Sequence, residues 1–278
     1  MSTDPQRTRQ TAFTTGRSRP FFFGVVHLRP LPGSPGFDGN FDAVLRAAVA
    51  DLTALLEGGA DGAIVENYFD MPYYPEGVPP ITIAAMTSAA TLLKSHCSDD
   101  FLLGINVLRN DAMAALSIAS VIGASFIRVN VHTGAAASDQ GILLGRAHET
   151  MRLRGSLGAP VAIFADVGVK HATSLESHSI EDAAKDAYER GLADVLLVTG
   201  TRTGEPVDPD DLDSVCAAVP GVPVFAASGI DLRSVEKMIK HCDGIVVGTW
   251  LKRGERIEEP IELDRVRQLS VILRRRRG

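Results

Sequence analysis

The sequence predicts an α/β fold, a single (β/α)8 barrel of the TIM type, in which eight parallel strands alternate with helices. Eight short apolar runs recur at intervals of roughly 20 to 40 residues along the 278-residue chain. The last two runs end in small-residue turns, at 227–229 and 247–249. Regular βα alternation is typical of a closed parallel barrel, whose usual length is about 250 residues.

Each candidate strand is short, rich in β-branched or apolar residues, and bounded by Gly, Pro, Asp or Asn. These features are typical of strands buried on both faces of a parallel sheet. In chain order, the candidate strands span residues 22–27, 62–66, 101–107, 125–131, 161–166, 194–199, 222–227 and 244–247.

The segments between the strands carry the apolar stripe of helices that pack on one face. Residues 41–57 show this stripe and end at Gly58-Gly59, a pair typical of a helix stop. We also expect Asp111 to cap a helix over 112–122, and another helix to begin near Asp231.

Composition fits one barrel domain with charged ends. We divide the chain into a polar N-terminal tail (1–20), a barrel (21–270) and a basic C-terminal tail (271–278), and we expect both tails to be solvated. The net charge of −6 and pI near 5.7 argue against a nucleic-acid partner, because such surfaces need excess Lys and Arg. Association of copies through the outer helices is compatible with the fold, but no apolar stripe indicates an interface.

Cysteine usage and hydropathy suggest a compartment. Cys97, Cys216 and Cys242 are odd in number and far apart, which favours a reducing environment. The sequence contains no apolar stretch of about 18 residues and no secretory leader, so we expect no membrane span. A cytoplasmic location is expected, with peripheral membrane association and organelle targeting left open.

Polar residues alternate with apolar ones in the fourth strand, and the polar set is Arg128, Asn130 and His132. Side chains in a strand alternate between its two faces, and the apolar set suits packing against helices. We therefore expect the polar set to point into the barrel.

Other strands add polar groups at the same end of the barrel. The same alternation places Asn106 and Asp166 inside, and His27 and Glu66 near the exits of the first two strands. Barrel enzymes place their chemistry where the carboxyl ends of the strands converge. We expect substrate contacts from His27, Asn106, Arg109, Arg128, Asn130 and Thr199, of which Arg109 could reach an anionic group.

The last two strands end in turns that suit phosphate. Gly229 and Gly248 allow a ligand to approach the backbone closely, and Ser228 and Thr249 add hydroxyls. Asp231 is a competing feature, because a carboxylate at a helix start would take the same amide donors.

Asp166, Lys170, His132 and Glu66 are the candidate catalytic residues. Asp166 and Lys170 lie four positions apart at a strand exit, where they could act as acid and base, form a Schiff base through the lysine, or make a structural ion pair. A divalent metal could bind among His27, Glu66, His132 and Asp166, but no diagnostic ligand spacing is present, so we assign no cofactor.

Long motifs occupy residues 24–35, 104–111, 126–132, 165–172 and 198–200. In these segments, and from about residue 22 to 267 overall, the chain resembles the BtpA/SgcQ family. The resemblance implies a TIM barrel related to phosphate-binding barrels, in a family named for a photosystem I biogenesis factor and with other members labelled as nucleosidases. The chain departs from the family pattern at Gly168, where a larger residue, often histidine, is common, and this weakens the transfer of fifth-strand chemistry.

From these features we expect an enzyme that acts on a small phosphorylated sugar or nucleoside-like substrate. Hydrolysis of a C–N glycosidic bond is favoured over aldolase-type C–C cleavage through Lys170. The alternatives are a non-catalytic biogenesis or stability factor for a membrane complex such as photosystem I, and a ligand-binding barrel without turnover.

Overall fold

The computed structural model describes residues 13, 19–168, 172–174, 179–200 and 207–275. Within these residues, the strands in chain order are β1 (Phe21–His27), β2 (Gly62–Glu66), β3 (Leu102–Asn106), β4 (Phe126–Val129), β5 (Ala135–Ser138), β6 (Gly141–Leu144), β7 (Ala162–Val167), β8 (Ala172–Ser174), β9 (Val195–Val198), β10 (Val224–Ala226) and β11 (Gly244–Val247).

Eight of these strands close into a parallel barrel in the order β1-β11-β10-β9-β7-β4-β3-β2. The three others, β5, β6 and β8, form a small antiparallel sheet outside the ring. The predicted (β/α)8 fold is therefore confirmed, and the eight predicted strands overlap the eight barrel strands. The small sheet was not predicted.

Helices cover the outside of the barrel. They are α1 (Phe41–Gly58), α2 (Pro80–Ser95), α3 (Ala112–Ile122), α4 (Ala147–Leu157), α5 (Ile180–Lys185), α6 (Pro209–Ala218), α7 (Val235–Met238) and α8 (Leu263–Arg275).

Local signals account for where several helices begin and end. Gly59 closes α1 with a φ of 84°, and its amide donates to the last carbonyls of the helix. Asp111 caps α3 by accepting from the amide of Ala114, as predicted. The helix expected near Asp231 was misplaced, because the Asp231 carboxylate accepts from the amides of Arg233 and Ser234 and holds a turn, and α7 begins only at Val235.

Phenylalanine fills the amino-terminal half of the barrel. Phe23, Phe126, Phe164 and Phe225 point inward from four strands, and the rings of Phe126 and Phe164 stack with centroids 4.2 Å apart. Rings of this size leave no room for a channel. Together with the polar residues above them, they confine the open space to the carboxyl ends of the strands.

Two residues of the expected N-terminal tail belong to the folded body. Phe13 is 4% exposed and meets the ring of Phe164 edge-on at 5.0 Å. Arg19 forms a two-pronged ion pair with Asp61. The expectation of a solvated tail is wrong at these positions, because apolar and ion-pair contacts with the barrel offset the entropy of ordering. At the other end, α8 continues to Arg275, beyond the predicted domain boundary at 270.

None of the helices within the described ranges is both long enough and apolar enough to cross a bilayer. Cys97, Cys216 and Cys242 are all free thiols.

Candidate functional site

A cavity of about 660 Å³ opens at the carboxyl ends of the barrel strands. Most of the predicted site residues line it, namely His27, Glu66, Arg109, Arg128, Asn130, Asp166, Ser228, Gly229, Gly248 and Thr249. Asn106, His132 and Thr199 lie outside its lining, and Lys170 falls outside the described residues.

Strand register explains why these polar side chains meet. His27 pairs with Glu66 across β1 and β2, and Glu66 pairs with Asn106 across β2 and β3. Ile127 of β4 pairs with Ile105 of β3. The next residues, Arg128 and Asn106, therefore lie side by side, and the polar row continues onto β4. Because facing residues in register point to the same side of a sheet, four adjacent strands contribute one inward polar layer.

Arg128 and Asp166 form the centre of the site. The Nε and Nη2 atoms of Arg128 each lie 2.9 Å from an oxygen of Asp166, and Nδ2 of Asn130 donates to Asp166 at 2.9 Å. Burial lowers the pKa of Arg128, but the charges of Asp166 and Glu66 outweigh that effect and raise it overall. The aspartate is therefore held in one orientation at the floor of the cavity by a permanent cation.

Asn106 supports this pair from below. Its Nδ2 donates to the carbonyl oxygen of Arg128 at 3.0 Å and to Oδ1 of Asn130 at 3.2 Å. The side chain is buried, and its Oδ1 has no hydrogen-bond partner among the described residues. Asn106 thus positions the β4 residues and does not itself border the cavity.

His132 does not join the site, contrary to the prediction. The strand ends at Val129, and two hydrogen bonds between Asn110 and the backbone of Val131 redirect the chain, so the strand alternation does not continue to 132. Nε2 of His132 lies 2.8 Å from the carbonyl oxygen of Gly191, outside the barrel. Burial lowers the pKa of His132 to about 4. The hydrogen bond to Gly191 opposes this shift, and the charge of Arg154 adds to it.

Thr199 also acts on the backbone and not on the cavity. Its hydroxyl donates to the carbonyl oxygen of Gly168, which joins the ends of β9 and β7. Gly168 has a φ of 74°, a conformation that favours glycine.

The expected phosphate side is built from backbone. Gly229 and Gly248 border the cavity after β10 and β11, and Gly229 has a φ of 57°. A Cβ on Gly248 would lie 3.2 Å from Cε1 of His27, so the imidazole and this turn are in close contact. Because α7 is only one turn long, it offers no helix N-terminus that could bind a phosphate. Of the predicted phosphate site, only the two glycine turns are present. The Asp231 carboxylate accepts from amides further along its own turn.

Aromatic residues that sequence reasoning missed form another wall. Tyr68, Met71 and Tyr73 follow β2 and line the cavity, as does Trp250 after β11. Tyr68 meets the ring of His27 edge-on at 5.1 Å, and the hydroxyl of Tyr73 donates to the carbonyl oxygen of Tyr68. Burial, aided by the charge of Glu66, raises the pKa values of both tyrosines. The signal was present as four aromatic residues within 68–74, in a chain that is only 6% aromatic.

A hairpin made by β5 and β6 follows β4 and reaches the mouth of the barrel. Asp139 at its tip lines the cavity, and β5 also pairs with β8.

The predicted metal ligands do not form a metal site. Within the described ranges, no three His, Cys, Asp or Glu side chains converge as a candidate metal centre. Both oxygens of Asp166 are occupied by Arg128 and Asn130, and His132 faces away.

Comparison with known proteins shows the family relationships of the chain. The sequence profile described as "BtpA family" matches residues 18–275. The photosystem I biogenesis protein BtpA of Synechocystis is 45% identical over 254 residues, covering 91% of this chain and 88% of that protein. An uncharacterized protein of Thermococcus kodakarensis is 45% identical over 88% of this chain and 92% of its own length. An uncharacterized mitochondrial protein of Caenorhabditis elegans is 33% identical over 90% and 91%.

Solved structures with the same fold are distant in sequence. Phosphoribosyl anthranilate isomerase from Thermus thermophilus superposes with a TM-score of 0.57 at 10% identity, over 92% of this chain and 98% of that one. KGPDC from Streptococcus mutans gives a TM-score of 0.57 at 11% identity, over 94% and 100%. At such identities the likeness concerns the fold alone.

Proposed function

This chain belongs to the BtpA family, and from the geometry of its barrel mouth we propose that it is an enzyme that hydrolyses the C–N glycosidic bond of a small phosphorylated, nucleoside-like substrate. The observation that carries the proposal is the division of one cavity into two chemically different sides. Glu66, Arg128 and Asp166 come from β2, β4 and β7, whereas the two glycine turns with their hydroxyls follow β10 and β11, where Asp231 and Glu255 also border the cavity.

The glycine turns suit a phosphate group. Gly229 and Gly248 let backbone amides approach an anion without side-chain interference, and Ser228 and Thr249 add hydroxyl donors. We assign the phosphate to this side.

The carboxylate side suits hydrolysis. Glu66 would take a proton from a water molecule while the oxygen of that water attacks the anomeric carbon. The C–N bond breaks at the same time, and the electron pair of that bond leaves with the nitrogen. Asp166, fixed by Arg128 and Asn130, would stabilise the positive charge that develops on the sugar ring. His27, paired in register with Glu66, would return a proton to the leaving nitrogen.

Product analysis tests this assignment. The purified protein is incubated with a panel of nucleoside 5′-monophosphates, and free base and sugar phosphate are measured by chromatography. Glu66→Gln should lower kcat by about 100-fold or more, whereas Asp99→Asn, an exposed carboxylate away from the cavity, should leave it unchanged. Turnover by Glu66→Gln at the wild-type rate would contradict the assigned role.

The aldolase alternative depends on Lys170. It is separated from hydrolysis by borohydride trapping with carbonyl substrates, because an imine on the lysine is reduced to a stable adduct. An adduct on Lys170 would reject the hydrolase proposal.

A biogenesis role is favoured by one observation, the 45% identity to the Synechocystis protein named for photosystem I biogenesis. A triple variant, Glu66→Gln, Asp166→Asn and Lys170→Met, separates the two accounts. Complementation of an assembly defect by this folded variant would favour a scaffold, and failure would favour chemistry. Ligand-dependent stabilisation without turnover would instead indicate a binding barrel.

A further inference from the structure

Arg109 stands across the cavity from the glycine turn that follows β10. In the closed strand order, β3 lies four positions from β10, which is diametrically opposite in a ring of eight. Arg109 follows β3, and Ser228-Gly229 follow β10. Both border the same cavity. A ligand that contacts both must therefore span the mouth.

The surroundings of Arg109 suit a second acceptor group. Arg109 lines the cavity together with Tyr68, Tyr73 and Glu66, and its backbone amide donates to the carbonyl oxygen of Tyr74 at 3.3 Å, which joins the loops after β2 and β3. The tyrosines stay protonated because burial raises their pKa values, and they add no negative charge. A guanidinium presents its donors in a planar fork that matches the geometry of a carboxylate or a phosphate.

Buried hydrogen bonds hold this wall in place. Oδ1 of Asn67, a fully buried side chain, accepts from the amide of Leu108 at 2.8 Å, and Nδ2 of Asn67 donates to Asp70 at 3.1 Å. Asp70 in turn accepts from the amide of Leu31 at 2.8 Å. Asn67 and Asp70 thereby tie the loops after β1, β2 and β3 together and set the position of the backbone next to Arg109. Such preorganisation reduces the entropy lost when a ligand binds.

We propose that the substrate carries an anionic group at each end, a phosphate at the β10 and β11 turns and a second anion, carboxylate or phosphate, at Arg109. This inference rests on the proposed phosphate side and narrows the substrate class. Asn67 is the positioning residue for the second subsite.

Calorimetry at fixed ionic strength tests the proposal with three probes that all have the same number of carbon atoms. D-ribose 5-phosphate has one anionic end, 5-phospho-D-ribonate adds a carboxylate, and D-ribose 1,5-bisphosphate adds a second phosphate. The wild-type protein should bind at least one of the two probes with two anionic ends (the two-ended probes) about tenfold more tightly than ribose 5-phosphate. A bidentate contact with arginine contributes about a tenfold gain in affinity. The better of the two identifies the second anion.

Variants locate the effect. Arg109→Met should reduce the preference for the two-ended probe to about twofold or less, and should change the affinity for ribose 5-phosphate by less than about threefold. Arg109→Gln is a second variant in case Arg109→Met folds poorly. Arg46→Met removes the same charge from an exposed position on α1 and should keep the full preference. Asn67→Ala should give an intermediate preference, without a matching loss of affinity for ribose 5-phosphate.

The outcomes separate this inference from the proposed function. Suppose that ribose 5-phosphate binds to the wild-type protein. If the preference for a two-ended probe is then absent, or if it survives Arg109→Met, the second subsite is overturned and the phosphate side stays intact. Failure of every probe to bind at about 5 mM, well above usual substrate levels, would overturn the phosphate side and this inference together.

Discussion

Two buried Arg-Asp ion pairs of similar chemistry occupy different places in this barrel. Arg128 and Asp166 face the cavity, whereas Arg154 on α4 and Asp194 before β9 lie between the barrel and its helices. Both pairs are at least nine-tenths buried. Asp194 also accepts from the amide of Ile163 at 2.7 Å, so it anchors the edge of a strand.

The difference teaches that burial and pairing alone do not mark a functional charge. In the outer pair, Asp194 also accepts from the backbone, and neither residue lines the cavity at the barrel mouth, which is the arrangement of a structural pair. The inner pair is joined by Asn130 and Asn106 and borders about 660 Å³ of open space. Access to a ligand, and not the ion pair itself, supports the functional assignment.

The largest expected effect is on stability, at the outer pair. Asp194→Asn leaves Arg154 buried without its counter-charge and should lower the free energy of unfolding by about 3 to 5 kcal/mol. Asp166→Asn should cost about 1 to 2 kcal/mol, because cavity water can solvate Arg128. Urea unfolding of both variants checks this, and equal losses would remove the distinction between the pairs.

The second effect is on catalysis, where we expect the inner pair to matter more than the outer pair. Asp166→Asn should lower kcat/KM by about 100-fold or more, equivalent to about 3 kcal/mol. Asp194→Asn, assayed well below its unfolding temperature, should stay within about threefold of wild type. The measurement uses whichever substrate the product screen identifies. A large loss of activity in folded Asp194→Asn would show that the outer pair also serves the site.

The third effect concerns His132, which belongs with the outer pair. Its folded pKa of about 4 lies below the ordinary value of 6.5, so the unfolded chain binds the proton more tightly. The contribution to stability is fully present above pH 6.5 and is lost as the pH falls towards 4, by about 2 kcal/mol between pH 7 and pH 5. His132→Gln should show a pH dependence smaller by that amount in urea unfolding. Identical profiles would contradict the assignment.

The smallest effect lies on the backbone side of the mouth. Gly248→Ala introduces a Cβ about 3.2 Å from the imidazole of His27 and should weaken binding of ribose 5-phosphate by about tenfold. Gly155→Ala is the matched control, because Gly155 lies on α4 away from the cavity with open space where the Cβ would be. Unaltered binding in Gly248→Ala would place the phosphate elsewhere.

Sequence reasoning succeeded where a local period or spacing carries the information. The strands, the cap at Asp111 and the inward direction of Arg128, Asn130 and Asp166 follow from alternation and small-residue boundaries. It failed at His132, since alternation was extended past the end of β4, and at Phe13, since a lone aromatic in a polar arm has no periodic signal. The wall at Tyr68 and Tyr73 was missed because a loop has no fixed direction before it is packed.

By itself, then, the sequence determined the barrel, its inward polar layer and its family, because each depends on patterns that repeat along the chain or on motifs read in order. Only the tertiary structure decided which charges share a cavity, that Arg109 and the glycine turn after β10 border the same cavity, and that His132 bonds to the backbone of Gly191. The reason is geometric. Closure of the ring sets distances between residues far apart in the chain, and no local pattern encodes those distances.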